Sequence, residues 1–83
     1  MNTKYMVVHT YLDLEKTKEV SRPVWRSTVK EHDEWEQAHN DMRTKFSASV
    51  DNKTISAGFN HESAYIEDID GRHSVFTITK KEI

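Results

Sequence analysis

The chain predicts an α+β domain: an antiparallel sheet of about four to six strands with one amphipathic helix on one face, in the order ββαβββ(β). Three observations support this. Runs near both ends alternate with period two, a central run switches to a three-four spacing, and turn residues separate the later runs. With 83 residues, no internal repeat and no linker-like stretch, residues 1–83 read as one small domain.

The first strand is expected over Lys4 to Leu14 and is apolar on both faces, with Met6, Val8, Leu12 and Leu14 on one side and Tyr5, Val7 and Tyr11 on the other. A strand with one wet face would alternate more cleanly. One helix covers only one face of a small sheet, so the face bearing Tyr5, Val7 and Tyr11 is expected to meet another chain. The polar stretch Glu15 to Ser21 reads as a turn, followed by a return strand from about Glu19 to Arg26. Pro23 cannot donate to a ladder and confines that strand to an edge or a bulge, which makes Trp25 an edge aromatic.

Thr28-Val29-Lys30-Glu31 has the form of a capping box, and a helix is expected over Val29 to Thr44. Acidic residues crowd its first turns, with Arg43 and Lys45 at its end, as the helix dipole favours. Val29, His32, Trp35, Ala38, His39, Met42 and Phe46 form its apolar seam. Phe46, Ala48 and Val50 then alternate, Asp51-Asn52-Lys53 supplies a turn, and Ile55, Ala57 and Phe59 alternate again, reading as a hairpin. Gly58 within the second arm indicates a bulge or a close backbone approach.

Ala64 to Asp68 and His73 to Lys80 flank Asp70-Gly71, a strong hairpin signal. A two-residue loop would group Tyr65, Ile69, Phe76 and Ile78. A three-residue loop with Gly71 in the left-handed conformation instead aligns Ala64, Ile66, Phe76 and Ile78, with Tyr65, Val75 and Thr77 opposite. The second register separates apolar from polar better and is preferred. Lys80-Lys81-Glu82-Ile83 reads as a frayed end.

Composition narrows the function. A formal net charge of −2 with both signs interspersed lacks the electrostatic attraction of general nucleic-acid binders, so nucleic acid is not the expected partner. The absence of cysteine excludes disulfides and thiolate chemistry. No apolar stretch approaches the roughly 20 residues of a membrane span, and Met1-Asn2-Thr3-Lys4 leads into a strand rather than a signal peptide, so a soluble cytoplasmic chain is expected. No serine sits in a glycine-flanked elbow, and Gly58 and Gly71 alone form no phosphate cradle. Among the five histidines, His32 and His39 would stand roughly 10 Å apart along a helix, too far for one ion. No metal, cofactor or catalytic group is therefore expected. His61-Glu62 with His73, His9 with Tyr11, and Glu67 with His73 are the polar groupings to inspect; the last is most simply a cross-strand pair.

The aromatics point to binding. Tyr5, Tyr11, Trp25 and Tyr65 lie outside the helix seam and the inner hairpin face, and Arg22 and Arg26 bracket Trp25. Tyr, Trp and Arg dominate binding hot spots. Tyr5, Val7, Tyr11, Arg22, Trp25, Arg26 and Tyr65 are thus the candidate binding residues of a non-enzymatic protein-interaction module. It is expected to be a homodimer and to act as a regulator or inhibitor by occupying a surface of another protein; one encoded by a bacteriophage would have this size and character. The alternative is a nucleotide-like ligand held at a dimer seam by Trp25, Arg22, Arg26 and Tyr11.

Overall fold

A computed structural model describes residues 3–82, so the expectations placed on Met1, Asn2 and Ile83 lie outside the described residues. Five strands, β1 (Thr3–Leu12), β2 (Trp25–His32), β3 (Thr54–Phe59), β4 (Ser63–Asp68) and β5 (His73–Glu82), form one antiparallel sheet in the order β2-β1-β5-β4-β3. Helix α1 (Leu14–Val20) joins β1 to β2, and α2 (Trp35–Ser49) joins β2 to β3. The α+β class with an antiparallel sheet is as expected. The residues expected to fray at the end instead continue β5 to Glu82, because Thr3 and Lys4 of β1 pair with Glu82 and Lys81.

Where the expected turn over Glu15 to Ser21 was placed, the chain forms α1. Asp13 caps it, its carboxylate accepting from the Lys16 N–H at 3.0 Å, and Ser21 ends it in the left-handed conformation. The Thr17 hydroxyl then accepts from the Val24 N–H at 3.0 Å, and Asp13 N–H donates to the Val24 carbonyl at 2.8 Å, closing the connection. Pro23 thus falls in that connection, and the return strand starts at Trp25 rather than Glu19.

The same shift moves the helix. Thr28 to Glu31 read locally as a cap, but Val29 and Thr28 pair with Val8 and His9 of β1, and ladder bonds over the length of the edge outweigh one capping interaction. The helix begins at Trp35 and runs to Ser49, absorbing Phe46 and Ala48 from the expected hairpin arm. Its seam is Trp35, Ala38, His39, Met42 and Phe46, as the spacing indicated, without Val29 and His32.

Asp68 N–H donates to the Arg72 carbonyl at 2.9 Å, Gly71 N–H to that of Asp68 at 3.1 Å, and Gly71 sits at φ +94°. This is the three-residue loop with a left-handed glycine, and it pairs Ala64 with Phe76 and Ile66 with Ser74. Ala64, Ile66 and Phe76 therefore join Ala38, Met42 and Val7 in the buried core, with Tyr5, Phe46 and Ile78 at its margin.

That register also decides which face of β1 is covered. Val7 lies opposite Ile78, and His9 opposite Phe76, so the pleat turns Tyr5, Val7, His9 and Tyr11 toward α2. Val7 is 1% exposed within its own chain. The face expected to meet another molecule is thus the internal one, with Val7 in the core and Tyr5 packed at its margin. The uncovered face carries Met6, Val8, Thr10 and Leu12.

His32, at the end of β2, is tied to the helix by a 2.8 Å hydrogen bond between its Nε2 and Asp41 Oδ2, with Lys45 3.4 Å from the same carboxylate. Burial works against the ionised Asp41, but the bonds and charges of His32, Lys45 and Lys30 outweigh it and hold its pKa below the ordinary 3.8. A depressed carboxyl contributes stability above the unfolded value that is lost as pH falls through the folded one. Asp41→Asn is accordingly expected to be less stable at neutral pH and to lose less stability than the wild type below about pH 4, read from denaturant curves across pH.

Candidate interaction surface

The uncovered face can be built strand by strand from the register. One row runs Val29, Val8, Thr77, Ser63 and the next runs Ser27, Thr10, Val75, Tyr65, Gly58. Trp25 beside Leu12, and Met6 between Glu31 and Thr79, flank these rows. The two central rows hold no ionisable carboxylate, amine or imidazole; Lys4, Glu31, Glu67 and His73 lie at their ends. Trp25 is 51% exposed and Val29 53%, with Tyr65 and Val75 close behind.

Local chemistry holds the face in place. The Tyr65 ring lies across Gly58, where a Cβ would come within 2.4 Å of its Cε1, which accounts for the glycine by close approach; the bulge falls instead between Thr54 and Ser56. The Tyr65 hydroxyl is 3.3 Å from Ser56 Oγ, Thr10 Oγ1 is 3.1 Å from Ser27 Oγ, and the His73 ring meets Trp25 edge-on at 6.3 Å. The molecule is thin, 14 Å in its shortest extent, and exposes 5770 Å². A folded chain of this mass is expected to expose about 5,200 Å², so the surplus is of the order of one side of a protein interface.

Trp25 and Tyr65 are brought to this face, near its two edges, but not the rest of the expected set. Arg26 points to the other side of β2 and pairs with Asp13 at 3.2 Å, Arg22 lies in the exposed connection after α1, and Tyr11 turns toward the helix side. Of the four residues proposed to hold a nucleotide, Trp25 therefore lies on one face, Arg26 and Tyr11 on the other, and Arg22 off the sheet. Val8, Val29 and Val75 are the side chains of this face that the sequence reading did not single out; the alternation of Trp25, Ser27 and Val29 was the available signal, masked by the capping box.

A second feature lies at the end of β1, between the start of α1 and the start of β5. A cleft of about 440 Å³ is lined by His9, Tyr11, Asp13, Glu15, Arg72 and Ser74, among others. His9 stacks on Phe76 at 4.3 Å and 15°, with Tyr11 5.0 Å away, and its Nε2 is buried without a hydrogen-bond partner. Burial, reinforced by the charge of Lys45, pushes the His9 pKa below its ordinary 6.5. The neutral ring is the stable folded form, so this site costs stability as pH falls below the unfolded value. His9→Phe is expected to raise stability by about 1 kcal/mol, or roughly 4–8 °C in melting temperature, and to remove that acid-side loss. Thermal melts at two pH values check both.

Glu67 and His73 are cross-strand partners, while His61 and Glu62 form an exposed pair at 3.9 Å. Among the described residues no three His, Cys, Asp or Glu side chains converge as a metal site would require, and no helix is long and apolar enough to cross a membrane. Comparison with protein-family models, curated proteins and solved structures gives no match.

Proposed function

We propose that this chain is a non-enzymatic protein-interaction module, a regulator or inhibitor of a cytoplasmic partner, working as a homodimer and using the uncovered sheet face to occupy a surface of that partner. The observation that supports it most is the uncovered face itself: two uncharged rows, one of them bearing Tyr65, with Trp25 beside them and the charges confined to their ends. Interfaces have this anatomy, with aromatic anchors in a charge-depleted centre and polar groups around them. A bacteriophage origin fits a small module of this kind. The test is affinity capture followed by reconstitution of the complex from both purified components. A stoichiometric complex supports the reading, and failure of every captured protein to reassociate contradicts it.

The cleft at His9 favours one alternative, a small planar ligand of nucleotide type. A buried imidazole nitrogen without a partner, an aromatic wall and Arg72 are the groups such a ligand would use. This site lies within one chain rather than at a dimer seam. Under this reading a nucleotide raises the melting temperature of the wild type, and His9→Phe abolishes that rise.

A further inference from the structure

The two edges of the sheet differ in how far they run unbroken. Edge strands expose a row of unpaired main-chain groups, a template for another strand. Strand β3 offers a short row. Its ladder is interrupted between Thr54 and Ser56, the Lys53 carbonyl beyond that point accepts from the Ile69 N–H at 2.8 Å, and the chain turns at Asn60. Strand β2, at the other edge, keeps one register with β1 from Trp25 to His32 and has no proline within it.

The outward groups of β2 follow from the ladder. Asp13 N–H donates to the Val24 carbonyl at 2.8 Å, in register with the β1–β2 pairs, so alternation turns the main-chain groups of Arg26, Thr28 and Lys30 toward β1. Those of Trp25, Ser27 and Val29 therefore point to the free edge. Across the sheet, Ile78 N–H donates to the Glu62 carbonyl and Asp68 N–H to that of Arg72, each at 2.9 Å, which fixes the same alternation independently through β5 and β1. The side chains of Trp25, Ser27 and Val29 lie on the uncovered face. Those of Arg26 and Lys30 lie on the helix side, with Arg26 Nε 3.2 Å from the Asp13 carboxylate.

We infer that the free edge of β2 pairs antiparallel with β2 of a second copy, about a two-fold axis at Ser27, joining the two sheets into one. The assignment rests on the self-association part of the function proposed above. This register sets Ser27 opposite its own counterpart and Trp25 opposite Val29, so the outward groups of all three residues bond, giving about six main-chain hydrogen bonds. All of them lie between Trp25 and Val29, inside the unbroken ladder. The segment is complementary to itself. Trp25 and Val29 are 51% and 53% exposed in the single chain, and an aromatic opposite a β-branched residue is a favourable cross-strand pair. On the helix side Arg26 falls opposite Thr28, so no like charges meet. Moving the axis to Thr28 would add Glu31 to the bonded groups but set Arg26 against Lys30 twice and replace both aromatic pairs with Trp25 against Glu31, and like charges directly opposite are destabilising. The axis at Ser27 stands normal to the sheet, so both uncovered faces lie on one side and form a single broad surface.

The experiment is sedimentation equilibrium of the full chain up to about 100 μM, with amide hydrogen exchange across the same range. The expected result is a dimer in which the Trp25, Ser27 and Val29 amides become slow to exchange as dimer accumulates. The place of Ser27 on the axis supplies a second test. Ser27→Asp and Ser27→Lys each set like charges opposite one another and are expected to weaken association severalfold on their own, while a one-to-one mixture of the two variants restores it. Ser27 is exposed, so the circular dichroism spectrum of either variant is expected to match the wild type. A dimer whose Trp25, Ser27 and Val29 amides stay fast, or which both variants leave at wild-type strength, overturns the assignment to β2 while leaving self-association standing. Two weakened variants that mixing does not restore overturn the axis at Ser27. A monomer throughout overturns both the pairing and the self-association.

Discussion

Phe76→Ala is expected to remove about 3–5 kcal/mol, most of the stability available to a domain of this size. Phe76 is wholly buried in β5, opposite His9 and Ala64, in a core whose largest fully buried side chains among the described residues are Phe76, Met42 and Val7. Removing its ring leaves a cavity that α2 cannot collapse into, because Ala38 and Met42 are held by the helix seam against the sheet. A melting temperature lower by roughly 15–30 °C, or loss of a cooperative transition, is the result to look for by circular dichroism. A shift of only a few degrees would show that the core is not centred on this strand.

Trp25→Ala combined with Val29→Asp should do the opposite, sparing the fold and removing the binding. Both side chains are about half exposed, and both lie on the edge strand β2, where neither contributes to the buried core. Surface changes of this kind alter stability by about 0.5–1 kcal/mol. Loss of an aromatic anchor and introduction of a carboxylate into an uncharged contact are together worth about 2 kcal/mol or more in binding, so affinity for the reconstituted partner should fall at least roughly thirtyfold. Titration calorimetry with the purified partner reads this directly. Unchanged affinity would place the contact elsewhere on the molecule.

How much of this was legible in the sequence depended on the range of the interactions concerned. The hairpin between β4 and β5 was legible because its register is set by five consecutive residues around Gly71, whose left-handed conformation selects the loop. The buried helix seam through Ala38, Met42 and Phe46 was legible from spacing alone. The helix start was not: Thr28 to Glu31 satisfy a local capping rule, and pairing with β1, about twenty residues away, overrides it. Ala48 and Phe46 suit helix or strand, and the continuing turns of α2 decided the matter.

The face of β1 was the most consequential reversal, and no local signal could settle it. Strand β1 is apolar on both sides, and which side α2 covers depends on its pairing with β5, almost seventy residues further along the chain. Two-sided apolarity did indicate a strand with one face left uncovered by the helix. Of the expected contact residues, Trp25 and Tyr65 share that face, whereas Arg26 and Tyr11 were separated from Trp25 by strand alternation and Arg22 by its place in the connecting turn.

The most direct test of the central claim is methyl NMR of the reconstituted complex, following Met6, Val8, Val29 and Val75 on the uncovered face against Val7 and Met42 in the core. The methyl groups of these four uncovered residues are expected to shift and to lose contact with a soluble relaxation agent when the partner binds, while those of the core pair stay unchanged. Partner-induced changes confined to α2 or to the His9 cleft, with Val8, Val29 and Val75 still accessible, would contradict it.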